Sequence, residues 1–181
     1  GDTSIRYTPE DWLNKMPFLP NIDESTKPIA VNTAERFATA GNYRKAIDIL
    51  LKDNSNPYYS LREYRLANYY NKIGNKNDSA AYWAQRCIEM KPLCYSPVRV
   101  LVNIAGKKGD SQKQLDLINS YLEKYQLEPL AWEDKIVILQ RLKKDQEALE
   151  TIRKAKEYMP RNSKIKKLEE EKIKLYEQGK I

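Results

Sequence analysis

The sequence predicts an all-α fold of stacked helix pairs, an α-solenoid, and three observations predict it. The first is a period of 34 residues. Ala46, Ala80, Gln114 and Ala148 form one column, Ile47, Ala81, Leu115 and Leu149 the next, and Leu50, Ala84, Ile118 and Ile152 a third. The last two columns are apolar throughout, and the first is small or polar. A unit of that length is a helix–turn–helix that cannot bury its apolar face alone, so copies must stack. The second observation is punctuation: glycine turns at Gly41, Gly74 and Gly106–Gly109 and closing prolines at Pro92 and Pro160. The third is a strongly charged last segment, as a terminal solvating helix should be.

The elements follow in order. Thr8-Pro9-Glu10-Asp11 reads as a helix start, with Thr as cap, Pro in the first turn and acids at the positive end. It opens a short helix over about 9–16 carrying Trp12, Leu13 and Met16, after which Pro17 and Pro20 extend the chain through Phe18 and Leu19. This arm, residues 1–25, is expected to cap the first repeat; the alternative is that it lies in the groove as an internal ligand. Ser25 or Thr26 caps a helix running to about Ala40, with Ala34 and Phe37 inward, and Gly41-Asn42-Tyr43 turns into a second helix over about 43–53.

The second pair is expected at Leu61–Ile73 and Asp78–Met90, capped by Asp78 or Ser79. The third is expected at Pro97–Ala105 and Ser111–Lys124, and the fourth at Leu130–Leu142 and Asp145–Tyr158. Ser163 caps a final helix over about 164–178, with Ile165, Leu168, Leu175 and Tyr176 on one side.

Composition narrows the chemistry. With 41% hydrophobic residues, low-complexity disorder is not supported, and no apolar run is long enough for a membrane span. There is no histidine, which removes the commonest general base and metal ligand. No phosphate-binding glycine loop and no clustered carboxylates are present, so no catalytic residue, metal ligand or cofactor is expected. Cys87 stands at a small core position. Spacing alone leaves a Cys87–Cys94 disulfide open. The net charge of +7 favours acidic partners, nucleic acid or an anionic surface, unless it reflects only solubility and a Lys/Asn/Tyr-rich source genome.

These residues resemble the tetratricopeptide repeat (TPR) family. Gly41-Asn42-Tyr43-Arg44-Lys45-Ala46-Ile47 is similar to its G-D/N-Y-x-x-A-I turn, and Leu66-Ala67…Tyr70…Gly74 to its first-helix pattern. Ala80…Ala84…Cys87-Ile88…Pro92 and Ala148-Leu149…Ile152…Ala155…Pro160 match its second helix, and Trp132 its early aromatic. The likeness covers about 26–160, with 161–181 as the capping helix. It implies a right-handed superhelix of about four pairs whose first helices line a concave groove. Asp53 and Gln114 depart from the pattern.

The resemblance implies groove residues Val31, Glu35 and Ala38 from the first pair and Tyr64, Asn68 and Asn71 from the second. Arg99 and Asn103 come from the third, and Glu133, Val137 and Gln140 from the fourth. A one-residue slip would present Arg62, Arg65, Tyr69 and Lys72 instead. The family's lysine–asparagine–asparagine–lysine–arginine clamp for a C-terminal carboxylate is not reproduced, because Val31 and Glu35 stand at its positions in the first repeat. Asp134 also falls where a further asparagine belongs.

The expected function is a non-catalytic protein- or peptide-binding scaffold, its ligand carrying an acidic group near Arg99. A bacterial extracytoplasmic setting, periplasmic or outer-membrane associated, fits the composition and the start at Gly1, with envelope assembly as the context. The alternative is RNA or other nucleic-acid binding, as in pentatricopeptide-type repeats, served by the basic charge and 13 tyrosines.

Overall fold

The computed structural model describes residues 29–53, 61–90 and 94–179. The arm, with the caps Ser25 and Thr26, lies outside them. Nine helices occur among the described residues: α1 (Ile29–Thr39), α2 (Tyr43–Lys52), α3 (Leu61–Ile73), α4 (Asn77–Glu89), α5 (Ser96–Lys107), α6 (Ser111–Leu122), α7 (Pro129–Arg141), α8 (Asp145–Tyr158) and α9 (Ser163–Glu177). No strand occurs among them, and none of these helices is long and apolar enough to cross a membrane. The described residues divide between Asp110 and Ser111 into two compact units.

In the first unit, α1 packs on α2, α2 on α3, α3 on α4 and α4 on α5. Val31, Ala34, Ala46, Ile47, Leu50, Leu66 and Tyr69 form one core cluster across α1, α2 and α3. Ala67, Ala80, Ala84, Val100 and Ile104 form the next, across α3, α4 and α5. The columns of the repeat are therefore the inter-helix core. Leu50 and Leu66 are fully buried, each worth roughly 1.5–3 kcal/mol in transfer terms. Cys87 is buried as expected, and Cys94 is half-buried.

In the second unit, α6 packs on α7, α7 on α8, and α9 on both α8 and α7. Ile118, Ile136, Leu139, Ile152 and Ile165 are its fully buried aliphatics. Trp132 is buried with its indole N–H donating to the Gln126 carbonyl at 2.8 Å, so its one polar group is satisfied.

Turn chemistry recurs. Gly41, Gly74 and Gly109 end first helices in the left-handed region, and Lys143 does the same at φ 57° without being glycine. Asn42 caps α2, its side chain accepting from the Lys45 N–H at 3.2 Å.

Several element boundaries differ from expectation. α4 starts at Asn77 after Lys76, with no side-chain cap, so neither Asp78 nor Ser79 caps it. α5 runs through Gly106 to Lys107, because a mid-helix glycine costs only about 1 kcal/mol and Val100, Val102, Ile104 and Ala105 anchor the helix by burial. Asn162, not Ser163, caps α9, accepting from Lys164 and Ile165. On α9, Ile165 is buried, but Tyr176 is 66% exposed and Lys172 is 3% exposed. Lys172 takes an inward place by pairing with Asp145 at 2.8 Å.

Candidate functional site

The predicted first-unit site residues fall on two helices. Tyr64, Asn68 and Asn71 stand at i, i+4 and i+7 of α3, and so share one stripe. Arg99 and Asn103 do the same on α5. α3 and α5 touch directly. Two observations fix their register: Ala67 shares a cluster with Val100 and Ile104, and the Lys107 ammonium donates to the Asn71 side-chain oxygen at 3.0 Å. The helices are therefore parallel. Counted back by helical turns from the Asn71–Lys107 contact, this register sets Asn68 at the height of Asn103 and Tyr64 at the height of Arg99.

Asn103 is exposed, and Tyr64, Asn68, Asn71 and Arg99 are half-buried. The observed contact of the two stripes is the Asn71 carboxamide held by the Lys107 ammonium. The stripe from Tyr64 to Asn71 spans about 10 Å at helical rise. That matches about three residues of an extended peptide at roughly 3.3 Å each.

Lys107 is not among the site residues that the sequence predicts. It stands four residues beyond Asn103, so the i+4 spacing that selects Arg99 and Asn103 also selects it. The turn expected at Gly106 places it outside the helix, and the continuation of α5 brings it back. Lys107 also lies 3.4 Å from the Asn71 carbonyl at the end of α3, where a cation suits the helix dipole.

The first pair contributes less than expected. Val31 is 1% exposed and belongs to the core, because α1 turns that side toward α2 and α3. Ala38 also packs against that cluster. Glu35 is held by Arg65 at 2.7 Å, and the Arg65 guanidinium lies 5.2 Å over the Tyr64 ring. Of the slipped register, Tyr69 is a core residue at 4% exposure, while Arg62 and Arg65 are half-buried and Lys72 is exposed. Burial pushes the Tyr69 hydroxyl above the usual tyrosine range, Arg65 opposing and Glu35 adding. Phe37 does not point inward: it is 36% exposed.

Glu133 and Gln140 belong to the second unit, both half-buried on α7, with Val137 exposed between them. Glu133 lies 3.7 Å from the Lys164 ammonium of α9, an intra-unit pairing that its sequence position does not suggest. Nearby, a cavity of about 460 Å³ is lined by Trp132, Lys135, Lys154 and Tyr158 among others. Burial holds the Lys135 ammonium below the usual lysine range, with Lys154 adding and Glu147 opposing.

No family model matches the sequence, and no curated protein is significantly similar to it. Solved structures are similar in fold. MamA of AMB-1 superposes with TM-score 0.55 at 17% identity, covering 83% of this chain and 81% of its own. TTC0263, a thermophilic TPR protein of Thermus thermophilus, gives 0.57 at 15%, covering 83% and 82%. YrrB, described as a TPR protein with an unusual peptide-binding site, gives 0.54 at 13%, covering 87% and 80%. With most residues of the 34-residue columns buried between helices, the chain has the all-α, TPR-like helical-repeat fold.

Proposed function

We propose that the chain is a non-catalytic scaffold that binds an extended peptide along the α3–α5 face. The observation that carries this is the register-matched ladder of Tyr64, Asn68 and Asn71 against Arg99, Asn103 and Lys107. Asn side chains offer a donor and an acceptor each, which suits a peptide backbone. Arg99 and Lys107 suit an acidic side chain, and Arg99 can grip a carboxylate bidentately. Glu35 detracts little, because Arg65 holds it. The peptide-binding site described for YrrB supports the same use of such a fold. Glu133 and Gln140 form a subsidiary polar patch on α7. The setting proposed from composition is a bacterial envelope, outside the cytoplasm.

The test is an affinity capture from nuclease-treated extract of the source cells. It compares the native chain with an Arg99→Glu, Asn103→Ala variant whose circular dichroism matches native. The expected result is a protein retained by the native chain and lost by the variant, with a fragment of it binding in isolation. A protein held equally by both would overturn the α3–α5 assignment. Material lost on nuclease treatment would favour nucleic acid instead.

A further inference from the structure

The second unit holds a cavity of its own. It measures about 460 Å³ and opens where α7 packs on both α6 and α8. Each helix brings one stripe to it. Trp132 and Lys135 stand at i and i+3 of α7, and Lys154 and Tyr158 at i and i+4 of α8. Asn119 of α6 and Glu123, just past its end, face them, and Gln126 joins from the turn that follows.

The walls are held from within. The Trp132 and Tyr158 rings stack at 5.9 Å, which ties α7 to α8. The Trp132 indole N–H donates to the Gln126 carbonyl, which holds the turn against α7. The Gln126 side chain is oriented as well, its Nε2 donating to the Glu123 carbonyl at 2.7 Å. That leaves its Oε1 buried, accepting no hydrogen bond among the described residues.

The charge of the lining is unbalanced. Two ammoniums stand against one carboxylate, that of exposed Glu123. Neither Lys135 nor Lys154 forms an ion pair with a described residue. Glu147, the acid that acts on Lys135, is itself 3.0 Å from the Lys144 ammonium. Burial, and then Lys154, hold Lys135 below the usual lysine range. An anion between the two ammoniums favours the charged form of both.

The lining also selects the anion. No arginine contributes, so the planar fork that suits a carboxylate is missing, and two ammoniums act as point charges that suit a tetrahedral oxyanion. A phosphate monoester carries about −1.5 to −2 charges at pH 7, which matches them. The cavity falls in the range of roughly 300–1,000 Å³ usual for small-molecule sites, more than a bare phosphate fills. The remaining polar groups include two acceptors, Gln126 Oε1 and the Glu123 carboxylate. The organic part of the ligand must therefore bring donors, which hydroxyl groups supply.

We propose that this cavity binds a hydroxylated phosphate monoester of the sugar-phosphate class. The phosphate sits between Lys135 and Lys154, and ligand hydroxyls donate to Gln126 Oε1 and Glu123. Asn119 adds a carboxamide N–H to the phosphate. The site is independent of the peptide reading for α3–α5.

Isothermal titration calorimetry on the full chain at low salt tests this, with glucose 6-phosphate, inorganic phosphate, citrate and a phosphoserine peptide as probes. Glucose 6-phosphate is expected to bind one to one, about tenfold tighter than inorganic phosphate. Lys135→Met and Lys154→Gln, with native circular dichroism, should each weaken it about tenfold or more. Gln126→Ala should weaken glucose 6-phosphate and leave inorganic phosphate unchanged. Lys166→Gln removes the same charge at an exposed position of α9 outside the cavity and should change nothing. By NMR, the Lys135 side chain should titrate at higher pH with glucose 6-phosphate bound than without it. Absence of binding would overturn the proposal, as would a loss with Lys166→Gln equal to that with Lys154→Gln. Citrate bound as tightly as glucose 6-phosphate would assign the lysines to a carboxylate. A phosphoserine peptide bound about tenfold tighter than glucose 6-phosphate would assign them to a partner chain. Either result also overturns the small phosphate monoester.

Discussion

The Arg141 guanidinium of α7 donates to the Gln114 side-chain oxygen of α6 at 2.6 Å. Gln114 is 5% exposed and occupies the column that is Ala46, Ala80 and Ala148 elsewhere. A carboxamide is tolerated there because a charged donor from the next helix meets it. Arg141→Ala should therefore destabilise by about 1.5–3 kcal/mol, the range for a hydrogen bond to a charged group. A urea-denaturation cycle with Gln114→Ala should show the two losses to be less than additive. Full additivity would mean the contact carries no energy.

The Lys172–Asp145 pair at 2.8 Å behaves differently at its two ends. Lys172 is buried, and Asp145 is about a third exposed. Asp145→Ala strands a buried ammonium and should cost about 2–3 kcal/mol, while Lys172→Met should be neutral or stabilising. Thermal melts of the two single variants check this. Equal losses from both would contradict the asymmetry.

Lys143 takes the left-handed turn position that glycine fills at Gly41, Gly74 and Gly109. Lys143→Gly should stabilise by about 0.5–1 kcal/mol, since it removes the Cβ clash of that conformation. Conversely, Gly74→Ala should cost about 1 kcal/mol from backbone strain alone, as open space surrounds its position. A denaturation midpoint that moves the wrong way in either variant would refute the assignment.

Burial raises the Tyr69 hydroxyl above its ordinary value of 10.0. Below about pH 10 the proton is bound in both folded and unfolded chains, and the contribution to stability is full. As pH rises from about 10 through the raised folded value, the unfolded chain ionises first and stability falls. Lys135, lowered from 10.5, works oppositely: the folded chain sheds its proton first, so stability rises with pH up to about 10.5. Tyr69→Phe should therefore flatten the alkaline loss of melting temperature, and Lys135→Met should steepen it. Unchanged slopes in both variants would remove these groups as the cause.

Periodicity alone was enough to establish the helix pairs. Residues 34 apart meet the same neighbours in successive pairs, so Ala46, Leu50, Ala84 and Ile152 had to be small or apolar to let helices approach. The bounds Leu61–Ile73 and Asp145–Tyr158 agree with those expected, being fixed by Gly74, Pro160 and local apolar spacing. The α3 and α5 stripes were legible for the same reason, because i+4 spacing is a local property of the chain. Tertiary packing decided everything that depends on a partner helix. It turned Val31 into the core and Phe37 out of it, extended α5 through Gly106 to bring Lys107 onto Asn71, and let Gln114 and Lys172 be buried. A side chain's own position cannot reveal those outcomes, since each depends on a charge or surface supplied by a different helix.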